Sequence, residues 1–185
     1  MENGSGLKKF PLFACAVGLA IVTCLSSRAR AAAEIGVGFG PFLPSRINGV
    51  TEVMNGLAVR AGLLTSNGFF EGELYSAHGD GADYNTLSFD FRLDLGKDLI
   101  PEIQVFALLG LNRDFYKPST SDDSRQGGGL HYGGGVLIPI GSIASPVQMR
   151  FDFKHRFGAG NSLIALLGFS LAFGNSTVGD GAGKR

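Results

Sequence analysis

Three histidines, His78, His131 and His155, are the residues of this chain best suited to acid–base chemistry near neutral pH. A hydrolytic site needs a nucleophile held beside such a base, and no Ser or Cys stands in that relation to any of them in a recognisable spacing. Metal donors are as sparse. Asp80, Asp83, Asp122 and Asp123 lack the regular Asp/Asn/Gly spacing of a calcium loop and read as solvated loop carboxylates. Gly36-x-Gly38-x-Gly40 is followed by no helical pattern, so it is no nucleotide-binding turn. What remains is a set of charges of both signs at every second residue: Arg60; Glu71 and Glu73; Asp90, Arg92 and Asp94; Arg150, Asp152, Lys154 and Arg156. That spacing places each group on one face of an extended chain.

The stretch Thr86–Leu95, TLSFDFRLDL, shows what the alternation means. Leu87, Phe89, Phe91, Leu93 and Leu95 take one face; Thr86, Ser88, Asp90, Arg92 and Asp94 take the other. A helix would need apolar spacings of three and four, which are missing. The stretch Val147–Phe157 is as regular, with Val147, Met149, Phe151, Phe153 and Phe157 opposite Gln148, Arg150, Asp152, Lys154 and Arg156. Six further strands are expected at 35–42, 53–64, 69–77, 102–115, 130–140 and 162–173. On the first of these Ile35, Val37 and Phe39 oppose glycines, so one face is nearly bare. The strand at 102–115 is apolar on both faces midway. His78–Asp83 and Lys117–Gly129 read as loops, the latter the longest.

The chain has 185 residues and a formal net charge of zero, enough for one domain and with no electrostatic case for a nucleic-acid partner. Its 29 glycines exclude a helical bundle and suit tight turns and closely approaching strands. Residues 1–33 read as a cleavable signal peptide. Lys8 and Lys9 precede the apolar run Phe10–Leu25, and Ala31-Ala32-Ala33 or Ala29-Arg30-Ala31 offers the cleavage site. Pro11 and Gly18 interrupt the run, which is shorter than the roughly 20 residues of a spanning helix. Both cysteines, Cys15 and Cys24, fall inside it, so the mature chain has no disulfide, thiolate metal site or thiol nucleophile. Residues 34–173 form the domain, and 174–185 a polar, Gly-rich tail.

Eight successive strands without helices pair antiparallel, and most are near the roughly 9–11 residues that cross a bilayer when tilted. The connections after strands two, four and six are expected to be short. Those after one and three are expected to be somewhat longer and the one after five longest, with a short one after seven breaking the trend; this pattern puts both termini at the short-turn side. The expected architecture is an all-β, eight-stranded antiparallel up-and-down transmembrane barrel. Closure removes the sheet edges that lipid does not tolerate. The Phe/Leu faces then meet lipid, and the ten charged residues named above point inward as a paired lumen network.

Residues 34–173 resemble the small outer-membrane barrels of the OmpA/OmpX type. The last strand, Leu167-Gly168-Phe169-Ser170-Leu171-Ala172-Phe173, resembles the signal read by the outer-membrane insertion machinery, through Gly168, Leu171 and Phe173. The resemblance implies an integral protein of the Gram-negative outer membrane with periplasmic termini. It implies contact with outer-membrane lipid, lipopolysaccharide and the insertion machinery, and a monomer without a cofactor. The expected role is structural or surface-interacting, with a plugged lumen and no catalysis. A channel for small solutes or hydrophobic compounds is the alternative, and a lipid A-modifying enzyme a lesser one. The deacylase pattern implies a Ser two residues after the His; here those positions hold Asp80, Gly133 and Phe157.

Overall fold

The computed structural model describes residues 33–174 except 46, 48–49, 51, 66–67, 80–81, 96–102, 118–122, 142–144 and 159–160. The segment expected to be a signal peptide and most of the expected tail therefore lie outside the described residues. The strands are β1 (Ala33–Pro44), β2 (Met54–Thr65), β3 (Gly68–Gly79), β4 (Ala82–Asp94), β5 (Gln104–Lys117), β6 (Arg125–Pro139), β7 (Val147–Gly158) and β8 (Ser162–Phe173). Each pairs antiparallel with its neighbours, and β1 also pairs with β8, so the sheet closes into a barrel. Ala33, at the boundary of the expected leader, is already paired with Leu63 and Phe173.

The alternation read in the sequence becomes an inside and an outside. Leu57, Val59, Phe89, Leu109, Leu111, Leu167 and Phe169 stand on the outer surface, Phe89 at 57% exposure. Arg60, Glu71, Glu73, Asp90, Arg150, Asp152, Lys154 and Arg156 are buried within. A soluble protein would not leave such an apolar band facing water. Inward glycines make room for the long side chains. At Gly38, for example, a Cβ would stand 2.7 Å from Nη2 of Arg60.

The connections do not alternate as expected. The two ends of the barrel are a terminal rim, where β1 begins and β8 ends, and a distal rim. At the distal rim the connections span 45–53, 80–81, 118–124 and 159–161; at the terminal rim they span 66–67, 95–103 and 140–146. His78–Asp83 is a hairpin end rather than a loop, because His78 and Asp83 are cross-strand partners and Gly79 pairs with Ala82. The expected long loop is shortened likewise: Gln126–Gly129 pairs with Asn112–Phe115, polar and glycine residues serving in a ladder that needs only backbone groups. Beyond β4, Pro101 lacks the N–H that a ladder needs, and β5 begins only at Gln104.

The distal mouth is filled by apolar side chains. Phe42, Met54, Ala58, Tyr75, Ala77, Ala82, Tyr84, Ile164 and Leu166 form one buried cluster. Ile47 and Val50 of the β1–β2 connection fold into it, bridged to each other by a Val50 N–H donating to the Ile47 carbonyl at 3.0 Å. The Phe42 and Tyr84 rings stack with centroids 4.1 Å apart. Ser45 is tied across the rim, its N–H donating to the Asn161 carbonyl at 2.8 Å.

Candidate functional site: the buried charge network

Below that apolar tier lies a charged one. β7 contributes four inward side chains in succession, Arg150, Asp152, Lys154 and Arg156. Their neighbours in register include Gly133 and Gly135 on β6 and Gly168 on β8, so little stands beside them. They extend across the lumen to the acids of β3 and β4. Arg150 grips Glu71 with two donors, Nη1 to Oε2 at 2.5 Å and Nη2 to Oε1 at 2.9 Å, the fork geometry that an arginine–carboxylate pair favours. Its Nε donates to Asp152 Oδ2 at 2.9 Å. Arg60 Nη1 reaches the same Asp152 oxygen, also at 2.9 Å. Lys154 Nζ sits between Asp90 Oδ2 at 2.7 Å and Glu73 Oε1 at 2.9 Å. Glu73 is held by charge more than by alignment: neither oxygen accepts a hydrogen bond of good geometry, and Arg60 Nη2 lies 3.5 Å away.

Toward the terminal rim Arg92 donates to Glu34 Oε2 at 2.8 Å, while Arg150 Nη1 approaches Glu34 Oε1 at 3.4 Å. Aromatic rings support these guanidinium groups. The Arg92 group lies 3.9 Å from the Phe69 centroid, and that of Arg150 4.8 Å from the Phe106 centroid. Toward the distal rim Arg156 donates to Ser88 Oγ at 2.9 Å and to Tyr84 Oη at 3.0 Å; Tyr84 in turn donates to Asp114 Oδ1 at 2.8 Å. The network thus joins β1 to β7 around the barrel. It contributes stability only because partners are present, since an isolated buried charge is strongly unfavourable.

Comparison with solved structures places this architecture. Ail, the attachment invasion locus protein of Yersinia pestis, superimposes with a TM-score of 0.52 at 12% identity, over 78% of this chain and 100% of that one. The N-terminal β-barrel domain of Pseudomonas aeruginosa OprF gives 0.56 at 17% identity, over 77% and 97%. Neisserial surface protein A gives 0.55 at 14% identity, over 78% and 98%. The fold is that of the eight-stranded outer-membrane barrels. No protein-family model matches the chain, and no curated protein matches it in sequence.

Within this outer-membrane-barrel fold, nine of the ten charged residues singled out from the sequence are buried; eight of these are linked by ion pairs, Arg92 through Glu34, while Arg156 pairs with Asp114 instead. Asp94 is the exception in burial: its side chain is 36% exposed at the terminal rim, 3.3 Å from Arg92 Nε. Sequence reasoning missed Glu34, which sits where the leader was expected to end, and Asp114, the one charge on the inward register of β5. His131, expected at a loop end, is wholly buried, with Nε2 against Asp90 Oδ1. Its place on the inward register with Gly133 and Gly135 was the signal available. His155 stands outside, its ring 5.3 Å from that of Tyr132. His78 lies 2.5 Å from Asp83 at the exposed distal rim. The three histidines are therefore dispersed and share no site. Among the described residues no three His, Cys, Asp or Glu side chains converge as metal ligands. Gly168 lies on the inward register, where an added Cβ would overlap the Val37 carbonyl, whereas Phe173 stands exposed outside.

Proposed function

We propose that the chain is an integral protein of the Gram-negative outer membrane with a structural or surface-interaction role, a plugged lumen and no catalysis. The observation that carries this reading is the division of each strand: an exposed Phe/Leu/Val face outside and a paired charge network inside. Lipid is the one solvent in which that division is stable, since an apolar belt then meets acyl chains and every backbone group is paired by closure. The even strand number puts both termini at one rim, and an exported chain enters the membrane with that rim toward the periplasm. The partners are outer-membrane lipid, lipopolysaccharide and the insertion machinery, the last through Gly168, Leu171 and Phe173, with the barrel a monomer.

The structural neighbours support a surface role: one is the attachment invasion locus protein, another a neisserial surface protein, and an Ail structure is in complex with the heparin analogue sucrose octasulfate. The rival reading is a channel. Against it stand two successive closures of the interior, one of charge and one of apolar side chains. Detergent-gel mobility before and after boiling tests the membrane barrel, which should shift on heating; a soluble protein with no shift overturns it. Planar-bilayer recording tests the plug. Steady conductance well above the leak level would show an open path.

A further inference from the structure

We propose that Lys154 and Asp90 condense spontaneously into an amide that staples β7 to β4 through the lumen, with Glu73 as the proton carrier. Lys154 is the one lysine among the buried described residues; the other long cations of the network are arginines. The difference is chemical. A guanidinium keeps its protons, whereas an ammonium that gives one up becomes a nucleophile. Lys154 Nζ lies 2.7 Å from Asp90 Oδ2 and 2.9 Å from Glu73 Oε1, and all three side chains are wholly shielded from solvent. Contact with Oδ2 at that distance puts Nζ roughly 3–3.5 Å from the Asp90 carboxyl carbon, the separation of a near-attack pair.

The surroundings supply the remaining parts. Neither Glu73 oxygen accepts a hydrogen bond of good geometry, so its lone pairs are open to a proton from Nζ. Arg60 Nη2, 3.5 Å from Glu73 Oε2, keeps a positive charge beside that acid. His131 Nε2 sits against Asp90 Oδ1, and a hydrogen bond to a carboxylate oxygen requires the ring proton on that nitrogen. That proton stabilises the negative charge that grows on Oδ1 as Nζ attacks. Gly110 leaves room for the pair, since a Cβ there would stand 2.7 Å from His131 Nε2.

The step balances within these residues. Glu73 takes one of the three protons of the ammonium, and the freed lone pair of Nζ attacks the Asp90 carboxyl carbon. That proton and a second from Nζ pass to Oδ2 by way of Glu73. The bond from the carboxyl carbon to Oδ2 breaks with its electron pair, and water leaves. The third proton stays on the amide nitrogen, Oδ1 becomes the amide oxygen facing His131, and Glu73 ends as the carboxylate it began as. No oxidant or other reactant enters. Condensation replaces two buried charges, each in need of a partner, by one neutral amide. It also joins residues 64 apart in a domain that holds no cysteine.

The test uses the full chain, unfolded in urea and refolded into detergent micelles, with samples taken over time for mass spectrometry. The parent should start at its sequence mass and lose one water per chain as it folds. Trypsin cuts after Lys and Arg, so the linked product is 61–92 joined through Asp90 to 151–156, with Lys154 uncut. Glu73→Gln cannot carry the proton and should slow the loss of water by about a hundredfold. Lys154→Arg keeps the positive charge and should never lose water. Heat-shift mobility is read in parallel to show that each protein is folded. A folded parent that stays at its sequence mass, with Lys154 cut by trypsin, overturns the bond, and this reading needs no variant to fold. Loss of water from Lys154→Arg, or a link at another residue, overturns the assignment to this pair. Linkage of folded Glu73→Gln at the parent's rate overturns the role of Glu73.

Discussion

The interior of the barrel contains two tiers that fill the same kind of space by opposite physics. The charged tier, from Glu34 and Arg92 up to Arg156, holds its members by direction: each guanidinium or ammonium needs an acid at a set distance. The apolar tier, from Phe42 and Tyr84 up to Ile47 and Val50, holds its members by contact area and shape. Deleting one group from the first leaves a charge without a partner. Deleting a methyl from the second leaves a small void. The tiers should therefore differ sharply in their tolerance of substitution, although both are fully buried.

The largest effect is expected at Arg150. Arg150→Leu removes the partner of Glu71 and a partner of both Asp152 and Glu34, and should lower unfolding stability by about 3–5 kcal/mol, read by urea titration of the barrel in lipid vesicles. The charge-matched swap Arg150→Met/Glu71→Met should restore much of the loss, since replacing a buried pair by apolar groups of similar volume is often nearly neutral. A double variant as unstable as the single would mean that the damage is steric, and the contrast between tiers would collapse. On the outside, Phe89→Arg places a cation against acyl chains and should cost about 2–4 kcal/mol, with reduced insertion. Normal assembly of that variant would mean that the faces are assigned the wrong way round. In the apolar tier Ile164→Val should cost only about 0.5–1.5 kcal/mol by the same titration. A loss as large as that of Arg150→Leu would show that shape, and not charge pairing, is the stricter requirement here.

The same contrast explains what the sequence made legible. Period two assigns residues to a common face but does not say which face is inside; charge does. Along β4 and β7 the inward face is marked by Asp90, Arg92, Asp152 and Lys154, so both strands and most of the network were readable. In the apolar tier that mark vanishes. Met54, Tyr84, Ile164 and Leu166 face inward while Leu57, Leu87, Leu163 and Leu167 face outward, so neither register is marked by charge. The folding of Ile47 and Val50 into the mouth was hidden for a further reason, since a turn-rich connection carries no periodicity at all. Loop lengths misled because polar and glycine residues, which mark turns in most contexts, continue the ladder at His78–Gly79 and Gln126–Gly129.

The smallest expected change is also the one that asks which tier closes the lumen. Ile47→Ser/Val50→Ser should weaken the apolar stopper while leaving the β1–β2 ladder and the Ser45–Asn161 tie in place. Beneath it Arg156 still bridges Ser88, Tyr84 and Asp114, and Lys154 still bridges Asp90 and Glu73. Conductance in planar bilayers should therefore stay at the leak level in that variant. It should rise only when the charged tier is also thinned, as in the same variant carrying Lys154→Ala/Glu73→Ala, a matched pair chosen so that no lone charge remains between them. If the stopper variant alone conducts, the charged tier is permeable and the apolar mouth is the single seal. If the combined variant stays closed while folded, the remaining pairs of Arg60, Arg150 and Asp152 suffice, and closure belongs to the terminal half of the network.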